Sequence, residues 1–366
     1  MKKRLLAIAL SSAMALSLMA CGSSSSGSSS SGTSSAASTT AASEAVEAGT
    51  EEASADYSDV TPDVTLIAAH VNNEDSSFHY GMTQFKNKLE ELSKGKMTVE
   101  IHPNGELGGD ESELIEKVAS NTVDCIIVSP GDLSNAVPQV DFLALPFIYQ
   151  NVDQWKQAQE SDDIGGYFAK FVDDNGAFHM LAYYMCGIRS VFSTQPLESM
   201  DDFKGVKIRV KSSENVVKIW TALGFVPASL AYNEIYSGLQ NNVINAAEND
   251  IANILNMKFY EPAPNVTLTE HDYATRFLII GSSKYNSLTD EQKQWVDEAA
   301  AYSQSLEWDY DEQYAGECQK QLEDLGVNFI QIDTTPMIET VQPILSEIAD
   351  NLGVTAGYDA IKALQK

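Results

Sequence analysis

The sequence predicts an α/β fold in two lobes, and three observations carry that expectation. Strand and helix patterns alternate through its first half, roughly 300 residues remain once the N-terminal segments are set aside, and one helical pattern runs unbroken from Asp290 to Leu325. That many residues exceed one comfortable hydrophobic core. The long helix, about 54 Å at the usual rise, exceeds what either lobe needs and is expected to bridge both. Thr289 and Gln292 have capping-box spacing at its start, Gly326 supplies its stop, and Gly316 marks where a kink would fall.

The elements follow in order. Val64 to Val71 reads as a strand, and Ser76 to Ser93 as a helix whose Phe78, Met82, Phe85, Leu89 and Leu92 share one buried face. Met97 to His102 is a second strand, Asp110 to Ser120 a helix opened by the pair Asp110 and Glu113, and Val123 to Val128 an apolar third strand containing Cys125 as a small buried hydrophobe. This alternation argues for a mostly parallel sheet. A helical region spans about Val152 to Asp174, and a strand from Phe178 to Met185 leads into Arg189. Val206 to Val210 is a strand, and Ser212 or Ser213 caps a helix ending at Gly224. A short strand Pro227 to Leu230, a helix Asn233 to Gln240, a strand Val243 to Ala247 delivering Glu248 and Asn249 at its end, a helix Ile251 to Phe259 and a strand Tyr273 to Ile280 complete the pattern.

The N-terminus reads differently. Lys2-Lys3-Arg4 precede a short apolar core, which makes residues 1–20 a removable secretory signal, too short for a permanent membrane helix. Leu18-Met19-Ala20-Cys21 resembles a bacterial lipobox, which implies a lipid on Cys21. Ser23 to Ser43 is almost wholly Ser, Gly, Ala and Thr, and Glu44 to Asp59 adds like charge, so residues 21–60 form an acidic tether and the folded part starts near Thr61.

A formal net charge of −29 leaves no basic face for phosphates and excludes nucleic acid as a partner. Three cysteines beyond Cys21, widely spaced, make neither a disulfide framework nor a zinc site. The chain has no His-Glu-x-x-His, no Gly-x-Ser-x-Gly and no clustered histidines, so no catalytic residue, metal or cofactor is expected.

Arginine is scarce: beyond Arg4 there are only Arg189, Arg209 and Arg276. A planar fork that stays charged suits bidentate capture of a carboxylate, whereas lysine serves a solvated surface. Arg189 sits at a strand end, where ligands of open α/β sheets bind. Arg209 alternates with Ile208 and Val210 and lies on the polar face of its strand, which fits either a solvated face or a cleft wall. Arg276, in an apolar strand, reads as structural.

A set of motifs in order then resembles a known family. These are Ala69-His70-Val71, Gly105-Glu106-Leu107-Gly108-Gly109, Leu145-Pro146-Phe147, Asp202 to Val210, Glu234 to Gln240, Ala247-Glu248-Asn249, and Lys258-Phe259-Tyr260-Glu261 with Thr267 to His271. Together they resemble the extracytoplasmic solute-binding proteins of tripartite ATP-independent periplasmic (TRAP) transporters, of the C4-dicarboxylate-binding (DctP) type. The resemblance implies a two-lobed fold like that of periplasmic binding proteins, with lobe I at 61–186 plus 274–313 and lobe II at 187–273 plus 314–366. It implies that Arg209 clamps a ligand carboxylate and that Arg189, Asn249 and Tyr232 assist; His70, at a strand end within one of these motifs, and Asn72 are further candidates to line the cleft. It further implies a monomeric receptor outside the cytoplasm, held to the cell membrane only by its N-terminal lipid and passing a small-molecule carboxylate to TRAP membrane subunits.

The chain departs from the family pattern at Ile244 to Asp250, which lacks the usual Asp, Gly and Pro, and at Lys211-Ser212, where proline and often asparagine occur. The ligand is expected to be a sugar acid such as a hexuronate, with Asn72, Asn249 or Glu74 on its hydroxyls and Tyr183, Tyr184, Phe192 or Trp220 stacking. A C4-dicarboxylate held by both arginines is the other candidate. A ligand-binding sensor component and an exported enzyme are the alternatives in function.

Overall fold

Two long antiparallel strands form the centre of the sheet, and the other strands are added on either side of them. The computed structural model describes Tyr57, residues 59–211 and residues 213–365. The leader, Cys21 and the tether as far as residue 56 lie outside the described residues. In chain order the described elements begin with β1 (Val64–Ala69), α1 (Ser77–Ser93), β2 (Met97–His102), α2 (Glu111–Ala119), β3 (Cys125–Val128) and α3 (Pro130–Leu133). A 3-10 turn at Pro138–Ala144 precedes α4 (Val152–Glu160), α5 (Tyr167–Asp174), β4 (Phe178–Ser193), β5 (Lys207–Val210), α6 (Glu214–Ala222) and β6 (Val226–Ser229). Then follow α7 (Ile235–Gln240), β7 (Ala246–Asp250), α8 (Ile251–Asn256), β8 (Asn265–Gly281), α9 (Ser282–Ser287), α10 (Asp290–Asp324), β9 (Asn328–Gln331), α11 (Thr335–Leu352) and α12 (Thr355–Ala363).

The strands make one mixed sheet in the order β2-β1-β3-β8-β4-β7-β5-β6, with β9 added to β8. The flanks are parallel, but β3–β8, β8–β4 and β4–β7 are antiparallel, so the expectation of a mostly parallel sheet fails at its centre. The cause is the length of β4 and β8, at 16 and 17 residues, which pair along nearly their whole extent. Sequence patterning shortens both. Register shifts between Met180 and Ala182, between Met185 and Ile188, and between Arg189 and Val191 interrupt the period of two that would reveal a continuous strand. Glu248 and Asn249 lie within β7, opposite Val191 and Ser190, because β7 pairs with β4 in unbroken register as far as Asp250, rather than at the end of a strand closing at Ala247.

The helix boundaries follow their caps. The Ser76 side chain accepts from the His79 amide, Asp110 from the Glu113 amide and Ser213 from the Val216 amide, and Thr289 with Gln292 forms the full capping box of α10. The helical region expected from about Val152 to Asp174 comprises α4 and α5 joined by a π turn at Asp162–Gly166. There a Cβ on Gly165 would overlap the Gln159 carbonyl.

Helix α10 runs uninterrupted past Gly316 and joins two apolar clusters. Val296, Ala299 and Ala300 pack with Phe78, Met82, Phe85 and Leu89 of α1, while Cys318 and Leu322 pack with Ile254 and Phe259. A third cluster gathers Phe142, Trp155 and Trp220 with Met337, Val341 and Leu345 of α11. Cys125, Cys186 and Cys318 are buried free thiols.

Side chains of α10 also stabilise the irregular part of β4. The Tyr183 amide donates to Gln304 Oε1 at 2.8 Å, the Met185 amide to Glu307 Oε2 at 2.8 Å and the Gly187 amide to Asp311 Oδ2 at 2.9 Å. Gly187 has φ +66°, and a Cβ there would meet Asp250 Cβ at 2.6 Å, so this crossing point requires glycine. Burial, reinforced by the charge of Asp250, pushes the Asp311 carboxyl up to about 7, against the hydrogen bonds from Ser77 and the Gly187 amide. A carboxyl raised in the folded state binds its proton more tightly there than in the unfolded chain. Its stabilising contribution is therefore present below the unfolded value and lost as pH rises through about 7. The melting temperature is expected to fall between pH 6 and pH 8, and Asp311→Asn, which keeps an acceptor for Gly187, should flatten that fall. An identical slope in both proteins would refute the assignment.

Candidate ligand-binding site

Arg189, Arg209 and Asn249 lie on the neighbouring strands β4, β5 and β7. Arg189 on β4 lies in register with Asp250 of β7 and Asp272 of β8. Its Nε donates to Glu248 Oε2 at 2.6 Å, Nη1 to Asn249 Oδ1 at 2.5 Å and Nη2 to the Glu248 carbonyl at 2.8 Å. Asp250 and Asp272 stand 4.0 and 3.9 Å away. Burial alone would raise the Glu248 carboxyl, but the Arg189 guanidinium and the hydrogen bond with His271 hold it well below the usual carboxylate range. His271 Nε2 sits 3.4 Å from Glu248 Oε2, and its Nδ1 lies 2.8 Å from Thr269 Oγ1. Arg189 is thus a buried cation already held by internal carboxylates.

Arg209 contrasts with it. Its neighbours in register are Ala228 of β6 and Ala247 of β7, whose small side chains leave the face above β5 to the guanidinium. Arg209 is only 9% exposed, and its Nε donates to the Leu230 carbonyl at 3.0 Å. Among the described residues it forms no ion pair. Burial pushes its pKa down from the ordinary arginine value; the charge of Glu248 partly opposes this, and the charge of Arg189 adds to it. A desolvated guanidinium without a carboxylate is costly.

Asn249 links Arg189 to Tyr232. Its Oδ1 accepts from Arg189 and its Nδ2 donates to the Tyr232 hydroxyl at 3.3 Å. That hydroxyl donates to Asn253 Oδ1 at 3.2 Å, and Asn253 donates to Asp250 at 2.6 Å. Tyr232 remains 39% exposed, with its ring edge-on to Phe259. Arg189, Asn249 and Tyr232 therefore form one hydrogen-bonded series beside Arg209.

His70 and Asn72 follow β1 directly. His70 is fully buried, with Nε2 3.2 Å from His79 Nδ1 and its ring edge-on to Phe78. Burial and the neighbouring His79 lower its pKa to about 3, so the ring stays neutral. Asn72 is half-buried, and its carbonyl accepts from the Asn104 amide. The aromatics expected to stack on a ligand are enclosed in packing instead. Tyr183 and Tyr184 donate to or share hydrogen bonds with Gly165 and Ser303, Phe192 stacks on Phe259, and Trp220 stands edge-on to His271 and Phe225.

A second charged group, absent from the sequence expectation, borders the first. Arg276 of β8 is buried, 3.9 Å from Glu111 and 5.7 Å from the Phe78 ring centroid, and its Nε has no hydrogen-bond partner. Glu111 accepts from the Ser129 amide at 2.7 Å, and Ser129 Oγ binds Asp132. These residues are distant in sequence, and the only signal that could have flagged one of them was the scarcity of arginine.

Known proteins resemble this chain in sequence and in overall fold. Residues 68–351 match the model of bacterial extracellular solute-binding protein family 7, DctP. A solute-binding protein of Roseobacter denitrificans is 31% identical over 74% of this chain and 82% of its own length. The sialic acid-binding periplasmic protein SiaP of Vibrio cholerae is 27% identical over 72% and 82%. Among solved structures, a TRAP periplasmic solute-binding protein of Xanthobacter autotrophicus Py2 with bound β-D-galacturonate superposes with a TM-score of 0.76 at 28% identity, covering 81% of this chain and 99% of that one. One of Sulfitobacter with bound α-D-taluronate gives 0.76 at 28% identity over 81% and 97%. The fold is the two-lobed α/β fold of these proteins, with α10 as its long helix. Its relatives are solute-binding proteins of extracytoplasmic location rather than enzymes, and no described helix is long and apolar enough to cross a membrane. The chain belongs to the bacterial extracellular solute-binding protein family 7, the DctP family of TRAP solute-binding proteins.

Proposed function

We propose that this protein captures a hexuronate outside the cytoplasm and delivers it to TRAP membrane subunits, with the ligand carboxylate held by Arg209. One observation carries the reading: Arg209 is desolvated within the sheet and, among the described residues, pairs with no carboxylate, beside an Arg189 that has several within 4.0 Å. A bound carboxylate would supply the missing charge through a bidentate pair. Asn249 and the half-exposed Tyr232 are placed to orient the ligand, and Arg189 fixes Asn249. In this proposal His70 and Asn72 belong to the opposing wall.

The choice of a hexuronate is supported by the bound galacturonate and taluronate of the two neighbours at 28% identity. It is also supported by Arg189, because an arginine already paired with Glu248 is a poor second clamp for a C4-dicarboxylate. The proposal includes lipid attachment at Cys21 followed by the tether, lobes divided at 61–186 plus 274–313 and 187–273 plus 314–366, and a monomeric receptor. A thermal-shift screen of the purified protein against D-galacturonate, D-glucuronate, sialic acid and succinate tests it. A true ligand at a hundred times its Kd should stabilise by about 2.7 kcal/mol. A shift with succinate alone would overturn the hexuronate reading, and no shift with any acid would overturn capture itself.

A further inference from the structure

We propose that Lys211 is a specificity-determining residue of the same cleft, contacting the hydroxyl-bearing end of the ligand opposite the carboxylate at Arg209. This inference rests on the reading of Arg209 as the carboxylate clamp. Lys211 follows β5 directly and stands two residues beyond Arg209, so the alternation of a strand directs both side chains to the same face, toward the carboxyl end where ligands of such sheets bind. The chain just after it is pinned. Ser213 Oγ and Asn215 Nδ2 donate to Asp141 Oδ2 at 3.3 and 2.7 Å, tying this segment to the Pro138–Ala144 turn.

Lys211 is half-buried and, among the described residues, forms no ion pair. Its surroundings are mixed: the cations Arg276 and Arg189 and the carboxylates Asp132, Glu111 and Asp141 all act on it or feel its charge. Burial and the two arginines push its ammonium down from the ordinary lysine value. An ammonium is a donor only, whereas an ionised carboxylate is an acceptor only. A ligand hydroxyl both accepts and donates, so it can satisfy Lys211 and a neighbouring carboxylate together. A second ligand carboxylate would satisfy Lys211 but face Asp132 and Glu111 with like charge. The group therefore favours a hydroxylated mono-acid over a short diacid.

The test is isothermal titration of the purified protein with D-galacturonate and succinate, comparing wild type with Lys211→Met, Lys211→Arg and Arg209→Ala, alongside ligand-free melting temperatures. Wild type should prefer galacturonate by at least about tenfold. Lys211→Met should lose about tenfold or more for galacturonate while losing less for succinate, with the ligand-free melting temperature unchanged or higher. Lys211→Arg should retain most of the preference. If Lys211→Met leaves both affinities within twofold, or lowers both equally together with the melting temperature, Lys211 is structural and the inference falls. A wild type that prefers succinate also overturns it, while leaving the Arg209 clamp intact. Acid binding that survives Arg209→Ala overturns the reading beneath it.

Discussion

Arg209→Ala should abolish useful capture of the acid while leaving the ligand-free protein as stable as before, or more so. Both halves follow from one geometry. Removing one partner of a buried charged pair costs about 2–5 kcal/mol of binding, or roughly 30-fold to several thousand-fold in Kd. In the ligand-free protein, however, Arg209 forms no ion pair among the described residues; its loss forfeits the hydrogen bond to the Leu230 carbonyl and the partial support of Glu248, and relieves the desolvation that pushes its pKa down. Titration calorimetry and urea denaturation on the same preparation read the two halves separately. Arg209→Lys keeps the charge but loses the fork, so its affinity should fall between the two. A variant that is destabilised and still binds would show that Arg209 is a structural cation after all.

The parts of the structure legible in the sequence are those governed by local rules. The capping box of Thr289 and Gln292, the Gly326 stop and the apolar stripe of α1 each depend on residues within a few positions of one another, and each element lies where they place it. The long strands β4 and β8 were not legible, because their bulges shift the alternating pattern in the middle of each strand. Among site residues, scarcity singled out Arg189 and Arg209 but could not separate their roles. The carboxylate that engages Arg189 is 59 residues away, and only the β4–β7 register brings it near. Tyr183, Tyr184, Phe192 and Trp220 looked available for stacking because composition does not reveal which aromatics the core encloses. Lys211 was visible as a departure from the family pattern, yet its meaning depends on the charges of Asp132 and Glu111, which act on it only through the fold.

Glu248→Ala should have the opposite signature to Arg209→Ala, with a large loss of stability. Glu248 supplies the 2.6 Å partner of a guanidinium that is 4% exposed, and the remaining carboxylates, Asp250 and Asp272, are at 4.0 and 3.9 Å. Breaking a buried pair by deleting one partner costs about 3–5 kcal/mol because the other charge stays behind without solvent. Urea denaturation should show that loss, and the paired substitution of Arg189→Met with Glu248→Leu should recover much of it, since both charges then leave together. The pH dependence has a definite sign. The folded Glu248 carboxyl lies well below its unfolded value, so its contribution is complete above the ordinary carboxylate range and declines as pH falls below it toward the depressed folded value. The stability gap between wild type and Glu248→Ala should therefore be constant from pH 6 to pH 8 and narrow on acidification. Ligand affinity should weaken as well, because Asn249 is positioned by the same Arg189 that Glu248 holds in place. A variant with wild-type stability at neutral pH would mean that Asp250 or Asp272 closes on Arg189 to replace the lost carboxylate, and the assignment of Glu248 as the partner that holds Arg189 would have to be abandoned.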